Sequence, residues 1–81
     1  VKIPRDTGGE ALAALLGKYG YSVTRQTGSH MRLTSRYRGS EHHITIPSHK
    51  PLRVGTMSSI VGEVAHYLGM EHQKLLDDLF G

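Results

Sequence analysis

Cysteine is absent from the 81 residues. That excludes a disulfide framework and any thiolate metal site, and it fits a reducing compartment. No apolar run approaches the roughly 18–20 residues of a membrane span, so no membrane partner is expected. The opening residues, Val1-Lys2-Ile3-Pro4-Arg5-Asp6, lack the apolar stretch of a secretory signal. These absences predict a soluble, cytoplasmic protein. Internal repeats, linkers and low-complexity tracts are missing too, and the length predicts one domain over residues 1–81. A domain near this size buries only roughly 60–65% of its unfolded surface, so its core must be thin. Acid is scarce in the middle of the chain. Residues 18–53 hold seven basic side chains, Lys18, Arg25, Arg32, Arg36, Arg38, Lys50 and Arg53, against the single acid Glu41. Residues 54–81 reverse the balance, with Lys74 against Glu63, Glu71, Asp77 and Asp78. A basic middle of this kind suits a surface that holds a polyanion.

What is present is periodic. Thr7-Gly8-Gly9-Glu10 has the form of a capping box. Leu12, Leu15, Leu16 and Tyr19 follow at helical spacing, and Gly20 suits a left-handed stop, so a helix is predicted over residues 8–19. Residues 21–26 alternate, with Tyr21, Val23 and Arg25 on one face and Ser22, Thr24 and Gln26 on the other. After the turn Thr27-Gly28-Ser29, residues 30–35 alternate again, Met31 and Leu33 opposed to His30, Arg32 and Thr34. Residues 36–40 read as a hairpin loop. Residues 42–47 read as a third strand, Ile44 and Ile46 inward, His43 and Thr45 outward, ended by Pro47. Such short gaps favour an antiparallel meander. Beyond a loop over residues 48–55, Thr56 can cap a second helix with Met57, Ile60, Val61, Val64, Ala65 and Leu68 on one apolar face and Gly69 at its end. Residues 70–80 predict a short third helix, whose Leu75, Leu76, Leu79 and Phe80 are either core or a stripe for a partner. The expected fold is α+β: a three-stranded antiparallel sheet covered on one face by helices, in the order α-β-β-β-α with an extra short C-terminal helix. Ser22, Thr24, Gln26, His30, Arg32, Thr34, His43 and Thr45 are left on the uncovered face.

That face carries chemistry. Gly28-Ser29-His30 sets an imidazole, a side chain suited to moving protons, at the mouth of a strand behind two small residues. A histidine there can serve as base or acid in metal-free RNA cleavage, and a cation such as Arg32, two residues along the same face, can steady charge on the phosphoryl oxygens. His49 and Lys50, just past the third strand, are candidate second members. Taken alone, His30 reads as a solvated strand residue, and Arg25, Arg32, Arg36 and Arg38 either line an RNA backbone or form a solvated charged face. His42-His43 invites a metal, but adjacent strand residues point to opposite faces. There is also no His-x-x-x-His or carboxylate set at ligand spacing, so neither metal nor other cofactor is expected. His66 and His72, on or beside helices, read as surface residues.

Several short motifs occur in a fixed order along almost the whole chain. They are Lys2-Ile3-Pro4 with the first helix, Tyr19-Gly20-Tyr21, Arg25-Gln26, Gly28-Ser29-His30, Ile44-Thr45-Ile46-Pro47-Ser48-His49, Gly55-Thr56-Met57 followed by Ile60, and Leu68-Gly69-Met70. With this set the chain resembles the HicA-type toxins, small mRNA-cleaving proteins of bacterial and archaeal toxin–antitoxin pairs. The Arg- and His-rich stretch over residues 36–43 and the pair Ser58-Ser59 are departures that leave substrate preference open. The resemblance implies a fold like that of double-stranded-RNA-binding domains and ribosome-independent cleavage of mRNA. It implies His30 as the catalytic residue and a HicB-like antitoxin as partner. The expected substrate contacts are Gly28, Ser29, Arg32, His49 and Lys50. Two other classes remain: a non-catalytic RNA-binding module on the same basic face, and a structural adaptor whose basic surface meets an acidic protein.

Overall fold

A computed structural model describes residues 4–81; Lys2 and Ile3, where the resemblance begins, lie outside them. The central strand β2 (His30–Ser35) alternates buried Met31, Leu33 and Ser35 with outward His30, Arg32 and Thr34. It pairs antiparallel with β1 (Ser22–Thr27) on one side and β3 (His42–Pro47) on the other. The inward side is covered by α1 (Gly9–Leu16) and α2 (Val54–Leu68), and α3 (His72–Phe80) packs on α2. The order is the expected α-β-β-β-α with an added C-terminal helix. The core joins Leu12 and Leu16 of α1, Met31 and Leu33 of β2, Ile44 and Ile46 of β3, and the predicted apolar face of α2. Each such side chain contributes about 1.5–3 kcal/mol when fully buried. Leu75, Leu76 and Leu79 belong to the same cluster, with Phe80 packed against it. They are core, and the alternative of an exposed stripe for a partner falls away.

The helix starts differ from expectation. Thr7 and Glu10 form no capping box: α1 begins after Gly8, which makes no side-chain cap bond. The loop after β3 does the work instead. Gly9 N–H donates to the His49 carbonyl (2.9 Å), and Leu52 N–H donates to the Thr7 carbonyl (2.9 Å). That satisfies one of the amides a helix start leaves open. A glycine is required, because a Cβ on Gly9 would lie 1.8 Å from the Pro47 carbonyl oxygen. The predicted last turn tightens into a 3-10 turn over Gly17–Tyr19, and Gly20 follows in the left-handed region (φ 79°). Thr56 caps nothing, since α2 already starts at Val54, behind Arg53. Gly69 ends it with φ 71°. His72 is not the surface residue expected: it is half-buried, and its Nε2–H donates to the Ser58 carbonyl (3.2 Å), joining α3 to α2. Lys18 Nζ lies 3.2 Å from an Asp78 carboxylate oxygen, and the Tyr19 hydroxyl donates to the same carboxylate. That bond, with burial, pushes the Tyr19 hydroxyl up to about 12.

The largest departure is in β1. Val23 faces Leu33 and Arg25 faces Arg32, so Thr24 is an extra residue in a β-bulge. One inserted residue turns everything beyond it to the other face. Arg25 and Thr27 therefore stand on the open face opposite Arg32 and His30, while Gln26, opposite Met31, turns to the covered side. The regular alternation read from residues 21–26 put Arg25 and Gln26 the other way round.

Candidate nucleic-acid interface

Thr27 pairs with His30, which makes Gly28-Ser29 the two-residue loop of the β1–β2 hairpin. Gly28 comes first, with φ 57°, the left-handed value that tight hairpin loops need and glycine takes without strain. Ser48, one residue past β3, donates both its N–H (2.6 Å) and its Oγ–H (3.0 Å) to the Ser29 carbonyl. The turn is thereby tied to the far strand, and β2 starts from a fixed point. His30 is exposed there. Its ring makes no hydrogen bond to any described residue, whereas His42, His43 and His72 all have ring partners. A histidine with both nitrogens open is available for proton transfer.

The register arranges the open face in rows about 6.7 Å apart along the strands. The first row is Thr27, His30 and Pro47; the second is Arg25, Arg32 and Thr45; Thr34 and His43 form the third. The third row is internally bonded. Thr24 Oγ1 lies 2.9 Å from Thr34 Oγ1, which lies 2.8 Å from His43 Nδ1. His43 Nε2 lies 2.8 Å from Glu41 Oε1, so that nitrogen carries the proton and Nδ1 accepts from Thr34 when the ring is neutral. Arg36 grips the other Glu41 oxygen with Nη2 at 2.7 Å and Nε at 3.1 Å. Arg36 first, then His43, hold the Glu41 carboxyl below its ordinary range. The one acid of the basic middle is thus engaged at the edge of the face.

A groove of about 760 Å³ runs from this face over the free edge of β3 to α2. His30, Arg32, His43 and Thr45 line one wall, and Thr56, Ser59 and Glu63 line the other. His30, Arg32 and the Gly28-Ser29 turn are therefore brought together. His49 and Lys50 are not in the groove; they line a separate hollow of about 460 Å³ at the start of α1, with Asp6, Thr7 and Glu10. Sequence reasoning placed His43 and Thr45 on the face without a role. It did not foresee Arg25 beside Arg32, Ser48 holding the turn, or Glu41 orienting His43. No local pattern announces these, because each depends on a partner in another strand. His42 and His43 point to opposite faces, as expected: His42 stacks on Tyr67 of α2 with ring centroids 4.6 Å apart. Among the described residues no group of three or more His, Cys, Asp or Glu converges as a metal site, and no helix is long and apolar enough to cross a membrane.

Frame and face together define a small α-β-β-β-α protein of the double-stranded-RNA-binding-domain type, with a basic, histidine-bearing sheet surface left open. Residues 9–69 of the 81 match the family described as the HicA toxin of bacterial toxin-antitoxin systems, and the chain belongs to that family. Comparison with curated proteins and with solved structures finds no match.

Proposed function

We propose that this chain is an endoribonuclease toxin that cleaves mRNA with His30 and is neutralised by a HicB-like antitoxin, residues 1–81 acting as one domain in the cytoplasm. Family membership supports the toxin role. The observation that carries the chemistry is the free imidazole of His30, held by the Gly28-Ser29 turn beside Arg32 on an exposed basic face. In the reaction the RNA 2′-oxygen attacks the adjacent phosphorus, the O2′–P bond forms and the P–O5′ bond breaks. A base takes the 2′-hydroxyl proton, and an acid supplies a proton to the departing 5′-oxygen. His30 handles one of these protons, and Arg32 offsets the charge that grows on the phosphoryl oxygens. Gly28 and Ser29 let the RNA backbone approach, since a Cβ on Gly28 meets only open space. His49 and Lys50, from their hollow beside α1, contact the strand farther along. The reaction draws on no metal.

His30→Ala should abolish cleavage of single-stranded RNA, assayed in EDTA, and relieve growth inhibition. It should leave the melting temperature within a few degrees of wild type, since exposed substitutions cost at most about 0.5 kcal/mol. RNA binding should persist. Cleavage at the wild-type rate would remove His30 from the chemistry. Binding without cleavage by the wild-type protein under any condition would mark a non-catalytic RNA-binding module instead.

A further inference from the structure

Arg25 and Arg32 are direct partners across the β1–β2 ladder. Like charges in that position repel one another. Neither guanidinium has a carboxylate or hydrogen-bond partner among the described residues. Glu41, the one acid lining the neighbouring hollow, is already held by Arg36 and His43. The two-residue Gly28-Ser29 turn pairs Thr27 with His30 and so sets Arg25 opposite Arg32, and the bulge at Thr24 begins immediately beyond them, as bulges commonly do beside functional sites. Next to them lies a small hollow of about 200 Å³, lined by Arg25, Thr27, His30, Arg32 and Thr45. Two guanidiniums, two hydroxyls and an imidazole line it. No carboxylate and no aliphatic or aromatic hydrocarbon side chain does.

We propose that this hollow is a phosphodiester site, in which Arg25 and Arg32 clamp the non-bridging oxygens of one RNA phosphate and present its phosphorus to His30. For RNA this rests on the ribonuclease reading; as an anion site it stands on its own geometry. Planar guanidiniums match phosphate oxygens in pairs, which a lone lysine does not. An anion between them turns the Arg25–Arg32 repulsion into two attractions. Thr27 and Thr45 supply hydroxyl donors from the outer strands. Cations and hydroxyl donors suit a phosphate rather than a base edge, so the clamp sets where the backbone is held. Arg25, which lies five residues before His30 and is one of four arginines the sequence offers for an RNA backbone, becomes a direct contact to the phosphate beside His30.

The test is a titration with inorganic phosphate at constant ionic strength, followed by NMR of the arginine Nε–H and histidine ring signals. Signals of Arg25, Arg32 and His30 should move together and saturate. Arg25→Gln and Arg32→Gln should each weaken phosphate binding by about tenfold or more, as expected for one charge-assisted hydrogen bond. Lys74→Gln, which removes the same charge from α3, should not. Cleavage of single-stranded RNA by Arg25→Gln should fall at least as far through kcat, with Arg25→Lys recovering part of it. Small shifts spread over all basic residues, with Arg25→Gln no weaker than Lys74→Gln, would overturn the clamp. The wild-type mapping needs no variant to fold. Saturable phosphate binding at these residues with no RNA cleaved by the wild type would sustain the anion site while removing the ribonuclease. Cleavage at full rate by folded Arg25→Gln would remove the clamp and leave the ribonuclease standing.

Discussion

His42 and His43 are neighbours in sequence with nothing else in common. His43 faces solvent and is fixed by Thr34 and Glu41. His42 turns under the sheet, stacks on Tyr67, and has Nδ1 2.7 Å from the Tyr21 hydroxyl. Tyr67 in turn bonds the Arg38 amide and the Ser40 carbonyl, so His42 sits where the β2–β3 hairpin is fastened to α2. Burial holds the His42 imidazole below its ordinary value of 6.5, against a smaller upward pull from Glu63, with His43 and His66 adding slightly to the lowering. The folded protein therefore prefers His42 neutral, and protonation favours the unfolded chain. The stability tied to this group is complete above about 6.5 and is lost as the pH falls through the lower folded value. His42→Phe keeps a ring on Tyr67 and removes the titration. Its melting temperature should fall less than that of the wild type between neutral and mildly acid pH. Parallel pH profiles for the two proteins would show that His42 is not the titrating group that matters.

β1 is an edge strand whose six residues are all exposed, so little packing holds it in register. Its position is set by the Gly28-Ser29 turn at one end and by Tyr21, buried at the other. Between these fixed ends the strand has one residue more than the ladder needs, and Thr24 is the surplus. Deleting Thr24 would leave Val23 opposite Leu33 and Arg25 opposite Arg32 in an unbroken ladder. The deletion should keep the fold and the phosphate affinity, at a cost within about 1 kcal/mol for the lost Thr24–Thr34 contact. Thermal melting and the phosphate titration would check it. An unfolded protein, or one that no longer holds phosphate, would mean that the bulge itself shapes the site.

Charge is divided between the two layers. Arg25, Arg32 and Arg36 lie on the sheet or its hairpin, whereas Glu63, Glu71, Asp77 and Asp78 lie in or beside α2 and α3. An acidic partner surface is thus drawn to the sheet and repelled by the helical end. The leucines of α3 are buried, so the C-terminal helix offers no apolar stripe as an alternative. A neutralising antitoxin should therefore cover His30 and leave the toxin's fold unchanged. Amide shifts on binding should concentrate in β1, the start of β2 and the His43 side of β3. Changes confined to residues 70–80 would defeat occlusion and point to indirect inhibition.

Much of this was written in local order. Period-two alternation placed β2 and β3 and told Met31 and Ile44 from Arg32 and Thr45. Helical spacing found the buried face of α2, and Gly20 and Gly69 marked two stops. The motif Gly28-Ser29-His30 marked the catalytic candidate, because a tight turn and an imidazole are properties of consecutive residues. Interactions across the chain were not legible. Whether Thr7 or the His49 carbonyl completes the start of α1 depends on where the end of β3 lies. Whether Leu75 and Leu79 are core depends on α2. Arg25 meets Arg32 because a two-residue turn pairs Thr27 with His30, and the bulge at Thr24 that reconciles this register with the buried Tyr21 exists in the pairing of the strands rather than in either one.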